Sequence, residues 1–345
     1  MQAIRRTLVE NFGGPAQNLA TEDEAFSLDQ VPDLSGKVAV ITGASEGIGF
    51  GCTHTMLSHN INKIFVISLR QEKVDEATKA IDEEFGEGTS KKFIWKQCDI
   101  SDWNATAKTA NEIASETDRI DILINCAARG IMTQQFAPTN GIDLHMAANH
   151  MGHVVLTSHL LPTLKKTAEK TKDYVRIVNL ASNAHQNAPS DVAFASVEEL
   201  QKDCGPMGLY GRSKLADLLY AKYLAKHVTP AHPKLLINAT HPGIVDTAQT
   251  NVHIHEPYPW LGYGMSLGLK PFRKTQFEGC VSTMYAATVT TQSGQYIAPP
   301  KIVEQGSDKA NDMGLAEQLQ KLTREIVRSK THSESSDKGC PFSDF

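Results

Sequence analysis

Six short apolar runs punctuate the chain, at 38–42, 63–68, 93–98, 121–125, 174–180 and 234–239, and a seventh is read near 295–298. Val38 to Ile41 is apolar without interruption, as expected of a strand in a parallel sheet covered on both faces. Between the runs, helical patterns fill the stretches near 47–59, 71–85, 103–117, 140–168 and 209–227. In the last of these, Leu215, Leu218, Leu219, Tyr223 and Leu224 fall close to a 3.6-residue period. Strands alternating with helices predict an α/β fold: a doubly wound parallel sheet, helices on both faces, and ligands at the carboxyl ends of the strands. The domain is read as 36–328. Residues 1–35 form a polar extension without periodicity, and 329–345 have the composition of a disordered tail. Residues 185–208 carry two prolines and a short helical piece, Val197 to Lys202, which reads as an insertion before the last helix.

Composition narrows the class. With 345 residues, 41% hydrophobic and 21% charged, the chain can bury a sizeable core and keep a solvated surface. A formal charge of −5 offers no electrostatic footprint for nucleic acid or an anionic membrane. No stretch approaches ~18 consecutive apolar residues, and the N-terminal MQAIRRTLVENFGGPAQ has no run suited to a signal peptide. A soluble, cytoplasmic enzyme is expected. The most lipid-compatible piece, WLGYGMSLGL at 260–269, is too short to span a bilayer and reads as part of a substrate lid over 247–277. Cysteines 52, 98, 126, 204, 280 and 340 show no metal-ligand spacing and suit a reducing compartment. His150 and His153 form H-x-x-H, but with no third ligand nearby in sequence a structural pair outweighs a metal site.

Two features carry chemistry. Tyr210 and Lys214 stand four apart in YGRSKLADLLYAKYLAKH, so on a helix they share one face. An ammonium beside a phenol favours the phenolate, which suits a general acid–base. Upstream, VAVITGASEGIG places Gly43, Gly47 and Gly49 at a strand-to-helix turn. Glycines there let the backbone approach a pyrophosphate, with the helix N-terminus supplying N–H donors. The spacing G-x-x-x-G-x-G departs from the general G-x-G-x-x-G fingerprint.

Together these features resemble the short-chain dehydrogenase/reductase family over roughly residues 36–325. Thr42 to Gly49 match its TGxxxGxG turn. Ile124, Asn125, Cys126, Ala127 and Ala128 stand where the family has a strand ending in NNAG, with Cys126 and Ala128 as departures. Asn149 matches the family's helix Asn, Ser182 its catalytic Ser, Tyr210 and Lys214 its YxxxK pair, and His241 to Thr247 its PG loop. NHMGHVVLT, SNAH, YGRSKLADLLYAKYLA and SGQYI resemble the retinol dehydrogenase and WW-domain oxidoreductase branch, and no WW domain is evident. The resemblance implies a single Rossmann-type domain in which a substrate carbonyl bonds to Tyr210 and Ser182. Tyr210 would deliver the proton, Lys214 would favour its phenolate and bind the nicotinamide ribose, and Asn149 would hold a water linking Lys214 to solvent. It also implies that cofactor is held by Gly43, Ser45, Glu46, Gly47, Ile48, Gly49, Arg70, Asp99, Ile100, Asn125, Ala127, Tyr210, Lys214, Pro242, Gly243, Val245 and Thr247.

The second strand, KIFVISLR, bears on which cofactor. It ends at Arg70 with no acid until Glu72, which favours NADP over NAD, because an Arg accommodates the 2′-phosphate where an Asp or Glu would bind the ribose hydroxyls. The branch implies a hydrophobic ketone, aldehyde or secondary alcohol of polyketide, steroid or retinoid type, and a homodimer is compatible with the family. His185, Arg129 and Met132 are further candidates for the pocket wall. Two other readings stay open: a non-catalytic dinucleotide sensor, and a redox-neutral enzyme on the same scaffold.

Overall fold

The computed structural model describes residues 2–13, 19–21, 23–245 and 274–331. The strands are β1 (Val38–Thr42), β2 (Lys63–Ser68), β3 (Phe93–Gln97), β4 (Ile122–Asn125), β5 (Val175–Leu180), β6 (Leu235–Thr240), β7 (Tyr296–Ala298) and β8 (Ile302–Glu304). The helices are α1 (Gln2–Asn11), α2 (Gly47–Ser58), α3 (Gln71–Phe85), α4 (Trp103–Glu116), α5 (His153–Lys170), α6 (Val197–Gln201), α7 (Gly205–Val228), α8 (Gln276–Thr288) and α9 (Met313–Lys330). The strands form one sheet in the order β3-β2-β1-β4-β5-β6-β7-β8, parallel throughout except for the antiparallel pair β7–β8.

Strand periodicity sorts the core into two layers. Successive side chains point to opposite faces of a strand, so Val38 and Val40 join one cluster while Ala39 and Ile41 join the other. The first layer packs beneath α4, α5, α7 and α9, and the second beneath α2, α3 and α8. With both faces covered, β1 is buried at all five positions, which its uninterrupted apolar run foretold. The chain winds outward from β1 to β3, then returns to start the second half at β4. The crevice where β1 and β4 diverge is therefore the topological switch point, at the carboxyl ends of the strands.

Several elements differ from the sequence expectation. Part of the polar extension, Gln2–Asn11, is helical, and Val9 is fully buried. The helix expected from 140 begins at His145, and its first eight residues, His145–Gly152, form a π-helical stretch before α5. Helix α8 opens inside the segment read as a lid, fixed by a capping box in which Thr275 and Glu278 exchange side-chain bonds to each other's backbone N–H. The tail was expected from 329, yet α9 continues to Lys330. The remainder of the lid and tail, with Thr247 and the 260–269 segment, lies outside the described residues. Among the described residues no helix is long and apolar enough to cross a membrane.

Candidate active site

The glycine turn is shaped by sterics. Gly43 and Gly47 hold φ of +67° and +54°, a region that side-chain-bearing residues rarely enter. A Cβ on Gly49 would lie 2.2 Å from the Gly43 carbonyl oxygen, so the turn closes on itself only with glycine there. At its foot, Thr42 Oγ1 accepts the N–H groups of Cys126 and Ala127 at 2.9 Å each, which joins the ends of β1 and β4 beneath the crevice.

The same hydroxyl also sets a histidine tautomer. Having accepted twice, Thr42 donates its proton to His153 Nε2, 2.8 Å away; Nδ1 then carries the ring proton and donates to the Asn149 carbonyl at 2.7 Å. Burial pushes the His153 pKa down to about 3, and the neighbouring Lys214 charge acts in the same direction. The imidazole is neutral, and the free protein must protonate it on unfolding in acid. The stability it contributes is complete above the unfolded value of about 6.5 and falls away as pH drops toward 3. Denaturant unfolding of wild type and His153→Gln at pH 7 and pH 5 is therefore expected to show a smaller acid loss in the variant; equal losses would refute the buried neutral imidazole.

Four side chains expected to act together converge at the ends of β4 and β5. Lys214 Nζ donates to the Leu180 carbonyl at 2.7 Å, two residues before Ser182, and lies 5.8 Å from the Tyr210 ring centre. Ser182 follows β5 in extended conformation, and its Oγ accepts from Ala184 N at 3.1 Å, capping a short turn. That turn lies against α7 because residue 211 is glycine: a Cβ there would sit 2.6 Å from the Ala184 carbonyl oxygen. Asn149 Nδ2 donates to Ser213 Oγ and to the Arg129 carbonyl, both at 2.9 Å, while its Oδ1 accepts from Arg129 N. Its side chain is thus committed to bracing the loop after β4 against α7. The insertion before α7 loops out, with Ala193, Phe194 and Ala195 N–H groups all bonded to the Glu199 carboxylate.

Lys214 is buried with its charge balanced. Burial pulls its pKa down, but the Asp217 carboxylate at 2.9 Å, with Tyr210 behind it, more than compensates, and the net shift is upward. Burial conversely raises Asp217 to about 6 against the pull of Lys214. Asp217 did not figure in the sequence expectation, although its place three residues after Lys214 on the same helix was readable.

Beyond the end of β2, Arg70 stands at the N-cap position of α3 and is paired with Glu46 of the glycine turn, with Glu72 a further 3.7 Å contact. Ser68 Oγ, buried at the end of β2, has no hydrogen-bond partner among the described residues. Asp99 is exposed and its carboxylate accepts from Ser101 N and Oγ, while Ile100 beside it is buried. A glycine cradle, a half-exposed arginine and an unpartnered hydroxyl fit a dinucleotide. The Asn125 Nδ2 donates to Thr157 Oγ1 and Asn179 Oδ1, tying β4 to α5 and β5, while its buried Oδ1 has no hydrogen-bond partner among the described residues. The Ala127 N–H is spent on Thr42.

The PG loop is buttressed by the unexpected α1. Ile244 N donates to the Asn11 carbonyl, Asn183 Nδ2 donates to Asn11 Oδ1 one residue from Ser182, and a Cβ on Gly243 would strike the Glu10 carbonyl. Val245 is buried and bridged to Lys274, whose ammonium caps the carbonyls of Val9 and Glu10. His185 is buried, with Nδ1 bonded to the Ser182 carbonyl and Nε2 accepting from Ser307 N, so both ring nitrogens are held by protein groups. His150 bonds Thr323 on α9 through Nε2 at 3.1 Å, so both histidines of the H-x-x-H are held by protein groups.

This constellation at a topological switch point is that of an oxidoreductase built on a dinucleotide fold. The chain belongs to the short chain dehydrogenase family, whose model matches residues 37–256. It is 50% identical over 348 residues to a Neurospora crassa protein named oxidoreductase bli-4, mitochondrial, covering 100% of this chain and 84% of the relative. Mouse retinol dehydrogenase 14 is 28% identical, with 85% of this chain and 86% of the relative covered. Among solved structures, L-sorbose reductase from Gluconobacter frateurii complexed with NADPH and L-sorbose shares the fold at a TM-score of 0.57 and 20% identity, over 76% of this chain and 95% of that one.

Proposed function

We propose that this oxidoreductase is NADP(H)-dependent and interconverts a hydrophobic ketone or aldehyde with its alcohol, using Tyr210 as general acid–base. The observation that carries this is the buried, charge-balanced Lys214 ammonium, set beside Tyr210 and anchored two residues from Ser182. Ser182 Oγ, held by its turn, and the Tyr210 hydroxyl hydrogen-bond the substrate oxygen. Tyr210 passes its proton to that oxygen during reduction and takes it back during oxidation. Lys214 keeps one N–H toward the cleft after its two buried bonds, for Tyr210 and a ribose hydroxyl. Asn149 orders the loop after β4 on which the ring would rest, and the role of holding a water passes to whatever capacity its Oδ1 retains. When bound, the nicotinamide supplies the hydride chemistry.

The alternatives are separated by specific features. Burial pushes the Cys126 thiol up to about 12, so this departure from the family pattern supplies no thiolate for a redox-neutral reaction. The intact Tyr210, Lys214 and Ser182 argue against a sensor without turnover. The cytoplasmic placement read from the sequence contrasts with the mitochondrial label in the bli-4 name, and imaging of the tagged chain distinguishes the two. The deciding experiment is fluorescence titration with NADPH and NADH, followed by NADPH oxidation with a panel of aromatic and steroid ketones. Binding with turnover supports the proposal; binding without turnover on any carbonyl favours the sensor, and binding neither dinucleotide overturns it.

A further inference from the structure

Lys214 makes both of its described hydrogen bonds on its buried side. One goes to the Leu180 carbonyl at 2.7 Å and the other to Asp217 Oδ2 at 2.9 Å, and both charged side chains are almost wholly out of solvent. An ammonium has three N–H groups, so this anchoring leaves one to face Tyr210 and the cleft. The carboxylate is itself confined: Oδ1 lies 4.0 Å from His150 Nδ1, and His150 is fixed by Thr323 of α9 and by an edge-on contact with Tyr220, ring centres 5.7 Å apart. Burial holds His150 neutral, so it does not compete with Lys214 for the charge of Asp217. A buried pair of this kind adds little net stability, and an apolar pair of similar volume would do as well. Its consequence is electrostatic. Without the carboxylate, the ammonium would face Tyr210 uncompensated.

We propose that Asp217 is a positioning residue for the Tyr210–Lys214 pair: it grips the Lys214 ammonium from the buried side and sets the charge under which Tyr210 exchanges its proton. This rests on the reading of Tyr210 as the acid–base. The titratable groups facing Lys214 are Asp217 and Tyr210 from α7, Cys126 from the end of β4 and His153 from α5, with His150 facing Asp217. The cysteine and both histidines stay uncharged through the neutral range. Removing the carboxylate then has one sign: less negative charge around the pair means that it gives up its proton at lower pH.

The test is ultraviolet tyrosinate titration of the full chain, with the Tyr210→Phe difference isolating Tyr210; it needs neither cofactor nor substrate. Asp217→Asn keeps the shape and loses the charge. Its Tyr210 onset is expected below that of wild type, since a negative charge lost from beside the pair favours the phenolate. An unmoved onset in folded Asp217→Asn overturns the proposal and leaves a merely structural role. Should that variant fail to fold, Asp217→Ser, smaller and also uncharged, is titrated in its place: an onset below that of wild type supports the proposal, and an unmoved onset overturns it. Full turnover by Tyr210→Phe would instead sink the underlying enzymatic reading, a separate outcome from either of these.

Discussion

Tyr210→Phe is expected to lower turnover by about 10²–10⁴-fold, the range that a positioned acid–base contributes. The ring stays, so its packing on α7 and against the Lys214 stem is kept, and only the proton-carrying oxygen is lost. Dinucleotide affinity should therefore change little, because the glycine turn and Arg70 lie on different elements from α7. A drop in kcat with KM nearly constant marks an interaction made only in the transition state. Lys214→Met should show a mixed pattern, losing rate and also weakening cofactor binding, since its remaining N–H is assigned to both tasks. It also leaves Asp217 buried without its cation, so its thermal stability must be recorded alongside. Wild-type turnover in Tyr210→Phe would overturn the assignment of the acid–base.

The second large effect is at the adenosine end, where two substitutions are expected to move affinity in opposite directions. Arg70 is half-exposed and paired with a partly exposed Glu46, a pair worth about 0–1 kcal/mol. Charge-assisted hydrogen bonds to a 2′-phosphate are worth about 1.5–3 kcal/mol. The exchange of Glu46 for phosphate is therefore favourable, and Arg70→Ala should weaken NADPH binding about ten- to hundredfold while leaving NADH little changed. Glu46→Gln removes the competitor and a negative charge near the phosphate, so NADPH should bind several-fold tighter, again with NADH as control. If both variants leave the NADPH-to-NADH ratio at the wild-type value, Arg70 does not read the phosphate, and the NADP preference falls with it. This competition was invisible in the sequence, where Glu46 and Arg70 stand 24 positions apart on a loop and a strand end.

Much of the architecture was written in local patterns. Short apolar-rich runs gave β1 to β7 to within a residue or two, most plainly β1, where both faces are covered and all five positions are buried. The helical period of α7 placed Tyr210 and Lys214 on one face without reference to any other part of the chain. Glycines at 43, 47 and 49 were legible as a turn because backbone sterics there tolerate little else. Helix α9 carries the same local signal: Leu319, Leu322, Thr323 and Ile326 keep the helical period and are buried.

What the sequence by itself determined was the order of elements and the placing of Tyr210 and Lys214 on one helix face, since each depends on residues a few positions apart. What only the tertiary structure decided depends on residues brought together across the sheet. The neutral tautomer of His153 comes from a hydroxyl 111 residues away that had already accepted two N–H groups. The bond from Asn125 Nδ2 to Asn179 follows from the β4–β5 register, and the hold of Asn149 on Ser213 and Arg129 follows from the packing of α7 against the loop after β4. The docking of α1 on the PG loop is the same kind of fact: a short polar helix has little stability alone, and what seats it are the buried Lys274 ammonium and the Ile244 amide, supplied from the far end of the chain. Local periodicity records what a segment forms, whereas hydrogen-bond partners and burial are properties of pairs that the sequence holds far apart.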